Sequence, residues 1–152
     1  MYRLIIVEDE QTIREALRTF VDWKKLGFNL IGAFSDGAQA FDFVKKNGVN
    51  VILTDICMPE MNGLELIKEI NSLNSLVKSV ILSGHDDFSY AQDALKSRVF
   101  DYILKPIDFD QIVQTFEKLK VELDNEWNGG LYRRKSDQLR REQFLSNYVK
   151  GF

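Results

Sequence analysis

The stretch Val49-Asn50-Val51-Ile52-Leu53-Thr54-Asp55-Ile56-Cys57-Met58-Pro59 decides the fold. A short, nearly continuous apolar run ends in a hydroxyl and a carboxylate, and a proline-containing loop follows. Strands with one wet face alternate apolar and polar residues. A run that stays apolar suits a strand buried on both faces, as in a parallel sheet flanked by helices. Leu4–Val7 and Val80–Leu82 repeat the pattern, and Val99–Leu104 reads as a further strand. Phe28–Phe34, interrupted by Asn29 and Gly32, suits an edge strand.

Helical periodicity fills the intervals. Ile13, Leu17, Phe20 and Val21 mark a first helix near Glu10–Trp23, and Ala38, Phe41 and Val44 a second that stops at Asn47-Gly48. Leu64, Ile67 and Ile70 mark a third, and Asp86–Lys96 a weakly apolar fourth with Phe88, Ala91, Ala94 and Leu95. The fifth starts around Asp108, with Phe109, Ile112, Phe116, Leu119 and Leu123 at alternating spacings of three and four. That spacing would also serve a coiled-coil seam, but its first task is to cover the sheet. Strands alternating with helices imply a doubly wound α/β sandwich, and right-handed crossovers leave few topologies.

The chain has 152 residues, enough for one domain with a core that needs neither disulfide nor structural metal. Cys57 is the only cysteine, which excludes a disulfide framework and a Cys-rich zinc site and points to a reducing compartment. The apolar runs are too short to span a bilayer, and Met1-Tyr2-Arg3-Leu4 leads straight into a strand rather than a signal peptide. The expectation is a cytoplasmic chain with no membrane contact.

Net charge is −3, unevenly spread. Residues 1–123 carry 14 Lys/Arg and 19 Asp/Glu; residues 124–152 carry 6 and 4. An acidic body is a poor candidate for binding nucleic acid, whose affinity rests on clustered Lys and Arg. Arg133, Arg134, Lys135, Arg140 and Arg141 read as a solvated helix face. Asn128-Gly129-Gly130 reads as a break, after which Leu131–Phe152 resembles a charged amphipathic helix with no strand to pack against. The expected division is a domain over 1–124 and a linker or signalling helix over 125–152.

In open α/β sheets the ligand site lies beyond the carboxyl ends of the strands, near the switch in strand order. Those ends carry Glu8-Asp9-Glu10, Thr54-Asp55, Ser83-Gly84 and Lys105-Pro106. Three converging carboxylates repel unless a cation joins them, and an all-oxygen set in a partly hydrated site selects Mg²⁺. A carboxylate beside Mg²⁺ can act as a nucleophile and form an aspartyl-phosphate. The metal and a lysine neutralise a transferring phosphoryl group, and Ser83 can donate a hydrogen bond to one of its oxygens. Each residue has an ordinary explanation too, since acids favour helix starts and Lys-Pro is a common loop pair. Four such features at the ends of four strands do not arise together by chance.

Ile5-Ile6-Val7-Glu8-Asp9-Glu10, Thr54-Asp55-Ile56-Cys57-Met58-Pro59-Glu60-Met61-Asn62-Gly63, Leu82-Ser83-Gly84 and Asp101-Tyr102-Ile103-Leu104-Lys105-Pro106 together resemble a bacterial response-regulator receiver domain. The resemblance spans Met1 to about Asp124. It implies a flavodoxin-like five-stranded parallel sheet of order 2-1-3-4-5 with five helices. By that resemblance Asp55 is the phosphoacceptor for a sensor histidine kinase. Asp9 binds Mg²⁺ directly and Glu8 mostly through water, with Asp55 and the backbone carbonyl of Cys57 as further ligands. Lys105 pairs with the phosphoryl group, Pro106 follows a cis peptide bond, and Ser83 and Tyr102 form the switch pair. Glu8 replaces the commoner Asp and Ser83 the commoner Thr, and both keep the needed oxygen.

Ser83-Gly84-His85-Asp86-Asp87-Phe88-Ser89-Tyr90-Ala91, Asp22-Trp23-Lys24-Lys25-Leu26-Gly27-Phe28 and the basic stretch near 133–141 resemble receivers of chains ending in an AraC-type helix-turn-helix. DNA contact is therefore expected only through an output domain outside these residues. A homodimer through the fourth helix, fifth strand and fifth helix is a further expectation. His85 is expected to serve in a loop or cap, not as a phosphodonor. The competing classes are a Mg²⁺-dependent phosphatase or phosphotransferase and a phosphorylation-independent interaction module. Phosphatases of the haloacid-dehalogenase type need a second Asp two residues after the nucleophile, where this chain has Cys57.

Overall fold

Five parallel strands form one sheet in the order β2-β1-β3-β4-β5 in the computed structural model, which describes residues 1–74, 76–84 and 99–129. The strands are β1 (Tyr2–Val7), β2 (Phe28–Phe34), β3 (Val51–Asp55), β4 (Lys78–Ser83) and β5 (Asp101–Leu104). The helices among the described residues are α1 (Gln11–Phe20), α2 (Trp23–Leu26), α3 (Gly37–Lys46), α4 (Gly63–Leu73) and α5 (Phe109–Gly129). This is the doubly wound arrangement anticipated above, with Phe28–Phe34 at an edge. The expected helix over Asp86–Lys96, His85 and the segment Leu131–Phe152 lie outside the described residues.

The central strands are apolar throughout because both faces are covered. Leu4, Ile6, Leu53, Val80 and Leu82 face one cluster with Leu17 of α1, Trp23 of α2 and Ile112, Phe116, Leu119 and Leu123 of α5. Ile5, Val7, Ile52 and Ile81 face a second cluster with Ala40 of α3 and Leu66, Ile67 and Ile70 of α4. Phe116 is the hinge of the first cluster, its ring standing edge-on to Trp23 at 4.8 Å and to Phe28 at 5.2 Å.

Helix ends follow local chemistry. Asp36 and Asn62 cap α3 and α4 by accepting from the Gln39 and Glu65 amides at 2.8 and 2.9 Å. The first helix differs from the expected Glu10–Trp23. It ends at Phe20, because the Asp22 side chain accepts from Lys25 N at 3.3 Å and starts α2, which Gly27 closes at φ 97°. Phe20, read as a core position, is 73% exposed, its ring edge-on to Phe109 at 5.7 Å. Strand boundaries also shift. β3 begins at Val51 and includes Thr54 and Asp55, so the carboxylate is the last residue of the strand, as the sequence reading placed it.

Candidate functional site

The connection from β1 crosses to β2 on one side and the chain then returns past β1 to β3. This reversal leaves a crevice at the carboxyl ends of β1 and β3. Glu8 and Asp9 follow β1 there, and Asp55 closes β3 beside them. One carboxylate oxygen from each of the three lies within 4.8 Å of the others. Glu10 does not join them: exposed, it occupies the position before α1 and donates its amide to Glu8 Oε2 at 3.1 Å.

Lys105, directly after β5, supplies the cation. Its Nζ lies 2.9 Å from Glu8 Oε1 and 3.3 Å from Asp55 Oδ2, and its amide donates to the Ser83 carbonyl at 2.7 Å. The Lys105–Pro106 peptide bond is cis. The other Asp55 oxygen, Oδ1, accepts from the following amide of Ile56 at 2.8 Å. Ser83 ends β4 fully buried, with its hydroxyl donating to the Gly84 carbonyl at 3.2 Å. Tyr102 is half-buried against the cluster on the α3 and α4 side of the sheet. Cys57 is exposed, in the loop that carries the chain from Asp55 to α4.

Charge does not balance within this group. Glu8 is fully buried and Asp55 is 5% exposed, yet among the described residues one ammonium serves both. Burial, and then the Asp55 charge, push Glu8 up to about 7 against the pull of Lys105 and the Glu10 amide. Burial likewise raises Asp55, with Lys105 opposing it. Burial alone would lower Lys105, but the two carboxylates outweigh it and hold its pKa above the ordinary value. Asp9 adds a third, exposed carboxylate. An all-oxygen set short of positive charge fits a hard dication. Such a set, with one exposed carboxylate open to solvent, suits a partly hydrated Mg²⁺.

Two positions without a role in the sequence reading shape this site. A Cβ on Gly63 would stand 2.0 Å from the Asp55 carbonyl oxygen, while the Gly63 amide donates to Ile56 O at 2.8 Å. Only glycine lets the start of α4 close against the end of β3. Arg14 reaches back from α1 to the acidic loop, its Nη1 donating to the Glu8 carbonyl at 2.7 Å. No spacing rule singles it out, since an arginine one turn into a helix reads as solvated surface.

A family model for the response regulator receiver domain matches residues 4–117. The transcriptional regulatory protein YesN of Bacillus subtilis is 32% identical over 99% of this chain and 43% of its own length. The receiver domain of AraT, a response regulator from Geobacillus stearothermophilus, superposes with a TM-score of 0.80 at 32% identity, covering 84% of this chain and 98% of that one. A two-component transcriptional regulator, AraC, from Clostridium phytofermentans gives a TM-score of 0.76 at 34% identity over 83% of this chain and 98% of that one. The chain spans under half the length of the curated relative YesN. With its sheet order and its acidic crevice, the chain belongs to the response regulator receiver domain family.

Proposed function

We propose that Asp55 is the phosphoacceptor of this receiver and takes a phosphoryl group from the phosphohistidine of a sensor kinase. The observation that carries the reading is a pair of buried carboxylates, Glu8 and Asp55, sharing the ammonium of Lys105 at the switch in strand order. In the transfer, an Asp55 oxygen forms a bond to phosphorus as the P–N bond of the donor breaks, and the histidine nitrogen leaves with the electron pair. Asp9, Asp55, the Cys57 carbonyl and, through water, Glu8 would hold Mg²⁺, which neutralises the phosphoryl oxygens. Lys105 moves its hydrogen bond from Asp55 to the phosphoryl group, and Ser83 and Tyr102 are the switch pair that reads the change.

The wider reading follows from the same family. Residues 1–124 are the receiver, and 125–152 lead as a linker or signalling helix toward an output domain of the AraC DNA-binding type, in a cytoplasmic regulator. Phosphorylation adds about two negative charges to the crevice and biases a two-state element toward the output. A homodimer through the segment 86–96, β5 and α5 is the expected form of the active state. Turnover of external phosphomonoesters is not expected, because Cys57 stands where a general acid would be needed. Acetyl phosphate or beryllofluoride with Mg²⁺ should modify the wild type and leave Asp55→Asn unmodified. Equal modification of that variant overturns the assignment.

A further inference from the structure

The turn carrying Glu8 and Asp9 has to hold two carboxylates toward one point; the Glu10 amide helps by donating to Glu8 Oε2 at 3.1 Å, but the helix-cap devices that would fix the rest of the turn are missing. The residue before α1 is Glu10, whose side chain makes no capping hydrogen bond, and the first turn of α1 contains no acid. The Glu8 carbonyl lies one residue past the end of β1, where the strand ladder stops at Val7. Its donor is Arg14: Nη1 stands 2.7 Å from Glu8 O and 3.5 Å from Asp9 O, while the Arg14 amide donates to Glu10 O at 2.9 Å. On the other side, the Glu8 amide donates to Phe34 O of β2 at 2.9 Å. The backbone of Glu8 is thus held at both its polar groups, by β2 and by Arg14. Arg14 itself touches none of the three carboxylates described in the crevice.

We propose that Arg14 is a positioning residue for the cation site: it binds the carbonyl side of the acidic turn and so aims Glu8 and Asp9. The proposal rests on the reading of that crevice as a Mg²⁺ site. Its sign separates it from a simple charge effect. A cation near an acidic site repels Mg²⁺, so if charge alone mattered, removing Arg14 would tighten binding. If Arg14 positions the turn, its removal weakens binding, and groups that orient ligands typically account for 10–100-fold in metal affinity.

The test is calorimetric titration of the wild type, Arg14→Lys and Arg14→Met with Mg²⁺, alongside cation-free thermal melts. Arg14→Met removes charge and donor and keeps the stem; Arg14→Lys keeps the charge with one compact donor. The expected order of affinity is wild type, then Lys, then Met, with Met weaker by about tenfold or more and cation-free melting little changed. Wild-type binding with Arg14→Met as tight or tighter overturns the positioning role alone. No binding by the wild type overturns the cation site and the proposal with it. If Arg14→Met does not fold, Arg14→Lys decides: weaker binding at an unchanged cation-free melt supports the proposal, and equal or tighter binding overturns it.

Discussion

A carboxyl group that folding strips of water, as it does Glu8, titrates upward unless a cation compensates it fully. Glu8 moves from an ordinary 4.5 to about 7, with burial the leading cause. Between those values the folded chain keeps a proton that the unfolded chain has lost. Unfolding free energy in cation-free buffer should therefore fall as pH rises through that interval, by on the order of 1 kcal/mol per pH unit. Asp55, raised by burial, acts in the same direction, whereas Asp124 is held below the usual carboxylate range and titrates beneath this window. Mg²⁺ held as proposed would take the ionised carboxylates, so its stabilisation should grow over the same interval. Thermal melts between about pH 5 and 7, with chelator and with Mg²⁺, check both trends. A chelated protein that gains stability steadily toward pH 7 contradicts the site's charge imbalance. The crevice acids and Lys105 were legible as residue types at strand ends. Arg14 was not, because what matters is its reach back to a backbone carbonyl, and backbone geometry leaves no mark in residue type.

At the scale of the element, α5 is the informative case. It runs about 30 Å, and its polar half is tied to the amino-terminal edge of the sheet. Tyr2 donates its hydroxyl to Asp124, and Lys120 pairs with Asp124 at 2.8 Å. Lys78, at the start of β4, lies 2.8 Å from Glu126 and 3.3 Å from Glu122. These contacts lie beyond residue 117, where the family match ends. They hold the last described turns of α5 against this domain. Replacing Lys78 by Met should leave Glu122 and Glu126 without their cation, costing about 1 kcal/mol. Amide exchange should then speed up over 122–128 and stay slow in β3; uniform exchange along α5 in both proteins would refute the tie. The apolar spacing of α5 was readable in advance, and Ile112, Phe116, Leu119 and Leu123 are all fully buried. The break after Phe20 was not, since the period continues into Val21 while Asp22 and Gly27 start and end a separate turn.

For the whole molecule, stability and function draw on opposite ends of one sheet. Phe116 joins α5 to α2 and β2 far from the crevice, so Phe116→Ala should cost about 3–5 kcal/mol. Because single domains of this size unfold cooperatively, the folded fraction of that variant should still bind Mg²⁺ like the wild type. Denaturant unfolding measures the first, and titration under folding conditions the second. A loss below about 1 kcal/mol would mean that the aromatic cluster does not carry the core. The amino-acid order by itself pointed to the architecture of this protein: doubly buried apolar runs alternating with helical periods suit a covered parallel sheet, and strand-end rules then place Glu8, Asp9, Asp55, Ser83 and Lys105 at one edge. Only the tertiary structure decided how charge is shared there. The depth of Glu8, the sharing of the Lys105 ammonium between two carboxylates, the fit of Gly63 against the Asp55 carbonyl and the grip of Arg14 all depend on distances between atoms of different elements. Periodicity reports which face a residue takes, and burial and electrostatics depend on what stands opposite it.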